Sequence, residues 1–250
     1  MTGAGAVAGT TPPTYVLIHG AAADSWCWHL VAAELRARGH GVVAVDLPCD
    51  DDSAGLSDYA DAVLAAVGDR AGSADPGGLA VVAHSFGAFT APVVCDRMPV
   101  ELLVLLGPQI PLPGEAPGDW WANTGYPQAR QEQDVRDGRA EDDMVGLFTN
   151  DLPPALVTEV FRRSRHQADK PFGDPVPVAE WPDVPTRVLL HRDDRFLPAD
   201  FVRRVARERL GIEPDEMPGD HLGMLGHPIE LADRLDAYWA ERSGAAARRD

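Results

Sequence analysis

One stretch limits what this chain can fold into more than any other: Gly77-Gly78-Leu79-Ala80-Val81-Val82-Ala83-His84-Ser85-Phe86-Gly87. The apolar run Leu79 to Ala83 reads as a short buried strand, and a helix is expected to start near Phe86. Between them stands Ser85, with Ala83 and Gly87 as its second neighbours. This is the small-x-Ser-x-Gly pattern of a nucleophile elbow, with Ala in place of the first Gly. A sharp turn there lifts one hydroxyl above the sheet. Bulky side chains two residues to either side would collide with the crossing backbone. The amides that open the following helix point at any oxyanion formed at the serine.

The rest of the chain supplies a suitable frame. At 250 residues it can bury a substantial core, and 45% hydrophobic with 24% charged residues is ordinary for a globular domain. The net charge of −17 disfavours nucleic acid and anionic membranes as partners and leaves a small molecule as the expected one. Cys27, Cys49 and Cys95 form no C-x-x-C pair, so neither a disulfide framework nor a zinc site is suggested. Ligand spacing for any metal is missing around His191, Asp193 and Asp194 and in the Asp50–Asp52 run, and no cofactor motif is found. Met1 to Pro13 carries no basic residue and no apolar run, and it reads as a disordered leader rather than a secretory signal. A cytoplasmic protein is expected, and a homodimer is compatible with the sequence.

Apolar runs alternate with helical patterns. Tyr15–Ile18, Val42–Val45, Leu79–Ala83, Leu102–Leu106, Thr186–Leu190 and a short piece near Asp215–Met217 read as strands. Helices are expected from Asp24 or Ser25 to Arg38, over 58–71, after the elbow, over 199–210 and over 229–242. That rhythm means βαβ units and an α/β fold with a mostly parallel sheet covered on both faces. It breaks between Pro108 and Pro185, where helical pieces are expected near 119–123, 128–147 and 154–166. Residues 14–108 and 186–243 thus read as the core, 109–185 as a helical cap, and 244–250 as a frayed tail. Insertions of this length are usually functional.

An activated serine needs a base, and that base needs an orienting group. In open parallel sheets the loops after the strands converge on one crevice. After Leu190 comes His191-Arg192-Asp193-Asp194, and after the last strand comes Pro218-Gly219-Asp220-His221. The order Ser, Asp, His, each at a strand end, suits acyl transfer. Asp193 competes with Asp194 for the acid, and His227 competes with His221 for the base. His84 and Asp220 read as structural neighbours.

These residues together resemble the α/β-hydrolase superfamily, within it the small branch of plant methylesterases and hydroxynitrile lyases. Val16-Leu17-Ile18-His19-Gly20 followed by Trp26-Cys27-Trp28, Gly39 to Leu47, and Asp220-His221-Leu222-Gly223-Met224-Leu225 carry the likeness over roughly 15–239. The resemblance implies an α/β-hydrolase fold of about six strands, without the two antiparallel strands that open larger members. It implies Ser85 as nucleophile, His221 as general base and then acid, Asp194 as the carboxylate holding the imidazole, and the Ala21 and Phe86 amides as oxyanion donors. A Gly stands in that family where His191 stands here, three positions before the acid. Lyase members carry Thr at the place of Gly20 and Lys at the place of Leu222, so ester hydrolysis is favoured over cyanohydrin cleavage.

The expected activity is that of a serine carboxylesterase on a small to medium apolar ester. Thioester or lactone hydrolysis, a lyase, a cofactor-free oxygenase, a carbon–carbon bond hydrolase and a non-catalytic receptor are the alternatives. The oxygenase resemblance calls for an acid after the strand before the cap, where this chain has Gly107-Pro108-Gln109. His19, Gly20, Trp120, Trp121 and Tyr126 are the expected pocket residues. The cap aromatics Phe148, Phe161 and Phe172 are read mainly as lid core.

Overall fold

Six strands form one parallel sheet in the order β2-β1-β3-β4-β5-β6: β1 Thr14–Ile18, β2 Gly41–Val45, β3 Leu79–His84, β4 Leu102–Leu106, β5 Thr186–His191 and β6 Asp215–Met217. The computed structural model describes residues 12–68 and 77–246. Most of the leader, the end of the helix expected over 58–71 and the last four residues lie outside the described residues. β1 sits between β2 and β3 with Ile18 opposite Val45 and Ala83, so the chain order reverses at β1. A crevice opens at the carboxyl ends of the strands at such a reversal.

The central strands β1, β3 and β4 are buried along their whole length, which is why they read as almost unbroken apolar runs, whereas the edge strands β2 and β6 are partly exposed. Side chains alternate between two cores. Tyr15, Leu17, Ala80, Val82, Val104 and Leu189 pack with Trp28, Val31, Leu35, Leu231 and Leu235. These come from a 3-10 turn Ser25–Trp28, α1 (His29–Ala37) and the C-terminal helix. Val16, Ile18, Val81, Ala83, Leu103 and Leu105 pack on the other side with Tyr59, Val63, Val93, Phe201 and Val205, from α2 (Leu56–Val67), α3 (Ala91–Arg97) and a helix after β5. The helix expected from 24 or 25 to 38 is therefore split, Asp24 accepting the Trp26 amide at the head of the 3-10 turn. The elbow also leads into a 3-10 turn, Ser85–Phe89, before α3 takes over with Pro92 in its first turn.

Between β4 and β5 lie α4 (Pro117–Asn123), α5 (Tyr126–Asp137), α6 (Met144–Phe148), α7 (Pro154–Arg163) and α8 (Lys170–Gly173). The single helix expected over 128–147 is two. Gly138 ends the first in a left-handed conformation, and Asp143 caps the second through the Gly146 amide. Likewise α7 stops at Arg163, and the chain beyond it leaves the helix to bond to core loops, the Arg165 amide to the Ala22 carbonyl and the Ala168 amide to the Cys49 carbonyl. After β5 come α9 (Ala199–Leu210), the short α10 (Gly223–Gly226) and α11 (Pro228–Ala246), which reaches past the end expected for it. One buried ion pair ties the insert to the core: Arg209 of α9 forks onto Glu115, which also accepts from Asn123 and the Leu112 amide. Burial alone would raise the Glu115 carboxyl, but these donors outweigh it and hold it below its usual range.

Candidate active site

Ser85 stands at the carboxyl end of β3 with φ 51°, a left-handed conformation rarely adopted by side-chain-bearing residues. Such strain costs on the order of 1–3 kcal/mol and persists only where surroundings enforce it. Here the Gln109 amide, from the loop after β4, donates to the Ser85 carbonyl at 3.2 Å. Gly87 is required two residues on, since a Cβ there would lie 2.6 Å from the His19 carbonyl oxygen. Gly20 faces the serine, its Cβ position only 3.0 Å from Ser85 Cβ.

Loops after β3, β5 and β6 bring three side chains into line. His221 Nε2 is 3.0 Å from Ser85 Oγ, and His221 Nδ1 is 2.7 Å from Asp194 Oδ2. The other carboxylate oxygen of Asp194 accepts the Phe196 and Leu197 amides, both at 2.8 Å. An acceptor so fully engaged is fixed in place, and it favours a proton on the His221 nitrogen that faces it. Asp193 is exposed, its carboxylate 3.4 Å from the Gly219 amide and turned away from His221. His227 lies outside the cluster, paired with Asp151 at 2.7 Å. Phe196 and Phe148 present edges to the His221 ring, with centroids 4.8 and 5.7 Å away, and shelter it from water.

His84 is buried beneath the cluster and donates from Nε2 to the His221 carbonyl at 2.8 Å, pinning the His221 backbone. Burial drives its pKa well below 6.5, so it stays neutral. Asp220 accepts the amides of Asp151 and Leu222 and is raised by its own burial. His191, expected as a departure from the family pattern, is wholly buried at the end of β5. Neither of its ring nitrogens has a partner, and burial lowers its pKa to about 4.

The loop after β1 provides a second set of donors. His19 Nε2 accepts the Leu47 amide at 3.0 Å, so its proton sits on Nδ1 and is donated to the Gly20 carbonyl at 2.7 Å. In a trans peptide the N–H points opposite to the C=O, so the Ala21 amide is aimed away from His19. It donates to no group among the described residues. The Phe86 amide is likewise open, since the first amides of a helical turn have no partner within it. Ala22 is the second strained residue, at φ 54°. Its amide donates to Gln167 Oε1 at 3.2 Å and its carbonyl accepts the Arg165 amide at 2.9 Å. Gln167 is held in turn by donating to Tyr59 Oη and the Ala168 carbonyl. The exit of the insert thus clamps the loop that carries Ala21.

Above Ser85 lies a cavity of about 350 Å³, floored by Gly20, Ala21, Phe86 and His221 and walled by apolar side chains. From the insert come Trp121, Met144, Phe148, Val160, Phe161 and Phe172; from the core, Trp26, Leu222 and Leu225. Three of the residues expected there are not. Trp120 is fully buried behind the wall, its indole N–H donating to the Ile110 carbonyl at 2.8 Å. Tyr126 packs against Trp121, Phe196 and Phe201 and steadies the lining from behind. His19 is engaged on both nitrogens beneath the loop. Gln109, Gln167 and Phe196 also stand at the site, and no sequence motif marks them. For Gln109 the one sequence signal is an amide side chain three positions after a buried strand. Among the described residues no group of three or more His, Cys, Asp or Glu could hold a metal, and no helix is long and apolar enough to cross a membrane.

Residues 15–234 match the model of the alpha/beta hydrolase family. A rice protein described as probable esterase PIR7A (Oryza sativa subsp. indica) is 27% identical over 88% of this chain and 94% of its own. Methyl jasmonate esterase 1 of Vitis vinifera is 29% identical over the same shares. Among solved structures, an extracellular alpha/beta-hydrolase from a Paenibacillus species superposes with a TM-score of 0.72 over 89% of this chain and 97% of that one, at 18% identity. A mutant of polyneuridine aldehyde esterase gives 0.72 over 90% and 98%, at 16% identity. The fold, the family model and the run of esterase relatives agree: this chain belongs to the alpha/beta hydrolase family and is a hydrolase of the esterase type, similar to the plant methylesterases.

Proposed function

We propose that the protein is a serine carboxylesterase working through an acyl-enzyme, with Ser85, His221 and Asp194 as its triad. The carrying observation is the continuous hydrogen-bonded line from Ser85 Oγ through His221 to Asp194, beside two unengaged amides. His221 takes the Ser85 proton as Oγ attacks the ester carbonyl, and the resulting oxyanion is met by the Ala21 and Phe86 amides. Donors of this kind each contribute about 3 kcal/mol to transition-state stabilisation. The imidazolium, steadied by Asp194, then protonates the leaving alkoxide. Water follows the same route in reverse and releases the acid.

The apolar walls favour an ester with a hydrophobic acyl part of small to medium size, and the named methylesterase relatives suggest a small alcohol. Leu222, lining the cavity directly after the base, brings no cation to stabilise a cyanide or similar leaving anion. That supports hydrolysis over lyase chemistry. Ser85→Ala should abolish p-nitrophenyl acetate turnover and labelling by a fluorophosphonate. Labelling that persists in the variant sinks the assignment of Ser85.

A further inference from the structure

The catalytic cavity holds a polar group that the triad does not use. Gln109 is only 2% exposed and lines the cavity beside Ser85, to whose carbonyl its own main-chain amide is bonded. Its side-chain nitrogen is buried without any partner, and no hydrogen bond to a protein group engages its oxygen among the described residues. The part-buried Gln167, by contrast, uses its oxygen once and its nitrogen twice. An unpaired buried amide is a standing penalty, and buried polar groups in folded proteins are nearly always paired. The position could hold Leu or Met without that penalty, as its apolar surroundings would suit either.

A carboxamide that no neighbour holds can also turn end for end about its last torsion, so it can present either its NH₂ or its oxygen to the cavity. Binding cavities commonly combine apolar walls with a few placed polar groups that fix orientation. The nearby polar side chains of the floor, Ser85 and His221, are committed to the reaction. Of the other polar lining groups, His84 donates its Nε2 proton to the His221 carbonyl, and Asp24, Arg163 and Ser164 come from the head of the 3-10 turn after β1 and the end of α7.

We propose that Gln109 is a specificity-determining residue that recognises a second oxygen on the substrate. The substrate class is an apolar ester carrying a keto or hydroxyl group close to the scissile carbonyl. The inference rests on the esterase reading for the reaction and on Gln109 alone for the preference. The side chain donates its NH₂ to a keto oxygen, or exchanges donor and acceptor roles with a hydroxyl. A substrate lacking that oxygen leaves the buried amide unpaired, and sites built to pair with a substrate group discriminate strongly against analogues without it.

The test uses the full chain and a matched set: methyl hexanoate, methyl 3-oxohexanoate and methyl 3-hydroxyhexanoate, with methyl 2-oxohexanoate to move the oxygen one carbon closer. At least one oxygenated ester should show kcat/KM about tenfold or more above methyl hexanoate, the size of one good hydrogen bond. Gln109→Met, close in shape and without donors, should bring that ratio to within about twofold of one. The ratio is read within one variant, so a general loss of activity or folded protein does not affect it. The same four esters are titrated calorimetrically into Ser85→Ala and Ser85→Ala/Gln109→Met protein, where the affinity ratio should behave in the same way. A wild-type ratio near one throughout, or a preference that survives Gln109→Met, overturns the proposal. Absence of turnover with a preserved, Gln109-dependent binding ratio would instead overturn the esterase reading and leave Gln109 as the recognition group.

Discussion

Asp194 and Asp193 are adjacent carboxylates with opposite fates, set by the turn after β5. Asp194 points inward, 3% exposed, and receives two backbone amides and the His221 imidazole, whereas Asp193 faces solvent. An Asn at position 194 keeps the shape but reverses one hydrogen bond and favours the wrong imidazole tautomer. Asp194→Asn should therefore lower kcat for p-nitrophenyl acetate by roughly 10³–10⁴-fold with little change in KM. Asp193→Asn should stay within about twofold of wild type, and equal losses in the two variants would reject the assignment. On the triad reading, Ser85, His221 and Asp194 can be picked from the sequence because the chemistry demands particular residue types at strand ends. The pocket cannot be picked so easily. Trp120 and Trp121 are identical in type and adjacent, yet one props the wall and the other is the wall. Which side of a short helix faces the cavity depends on packing that residue type does not encode.

The elements differ in how legible they are for the same kind of reason. Strands buried on two faces leave continuous apolar runs, and β1, β3 and β4 are readable for that reason, while the short polar β6 is legible only from its place in the alternation. The insert's helices pack by few apolar positions each, so their ends rest on local capping: Gly138 and Asp143 divide what reads as one helix. Least legible was residues 165–168, which have no regular structure yet grip the strained Ala22 through the Arg165 amide and Gln167. Gln167→Leu removes the acceptor for the Ala22 amide and frees the loop that aims Ala21. On the triad reading, kcat should fall by about tenfold with KM within twofold, because the missing alignment matters only when the oxyanion forms. Affinity for a trifluoromethyl ketone, which mimics that oxyanion, should fall in parallel. Unchanged ketone affinity alongside a lowered melting temperature would reduce Gln167 to a purely structural role.

Across the whole molecule, the features that organise the crevice also set its response to acid. His19, His84 and His191 lie under the loops after β1, β3 and β5, all buried and all held below the usual histidine pKa by that burial. In the unfolded chain each binds a proton near pH 6.5, which the folded protein resists until a lower pH. Unfolding therefore takes up protons in this window, and stability falls as pH drops below about 6.5. For His191, whose folded value is about 4, the loss over that range is about 3 kcal/mol. Carboxylates such as Glu115 and Asp134, held low by Arg209 and Arg139 against the cost of burial, act in the same direction at lower pH. The net charge of −17 works the other way, since protonation relieves repulsion among surface carboxylates, but salt screens that contribution and leaves the buried one. In 0.15 M salt, unfolding free energy measured by urea titration should decline between pH 6.5 and 4. His191→Gln, which removes one titrating group, should reduce the slope of that decline by up to one proton, whatever its effect on stability at pH 7. An identical slope in the variant would mean that His191 is protonated in the folded protein and that burial at the end of β5 does not govern its charge.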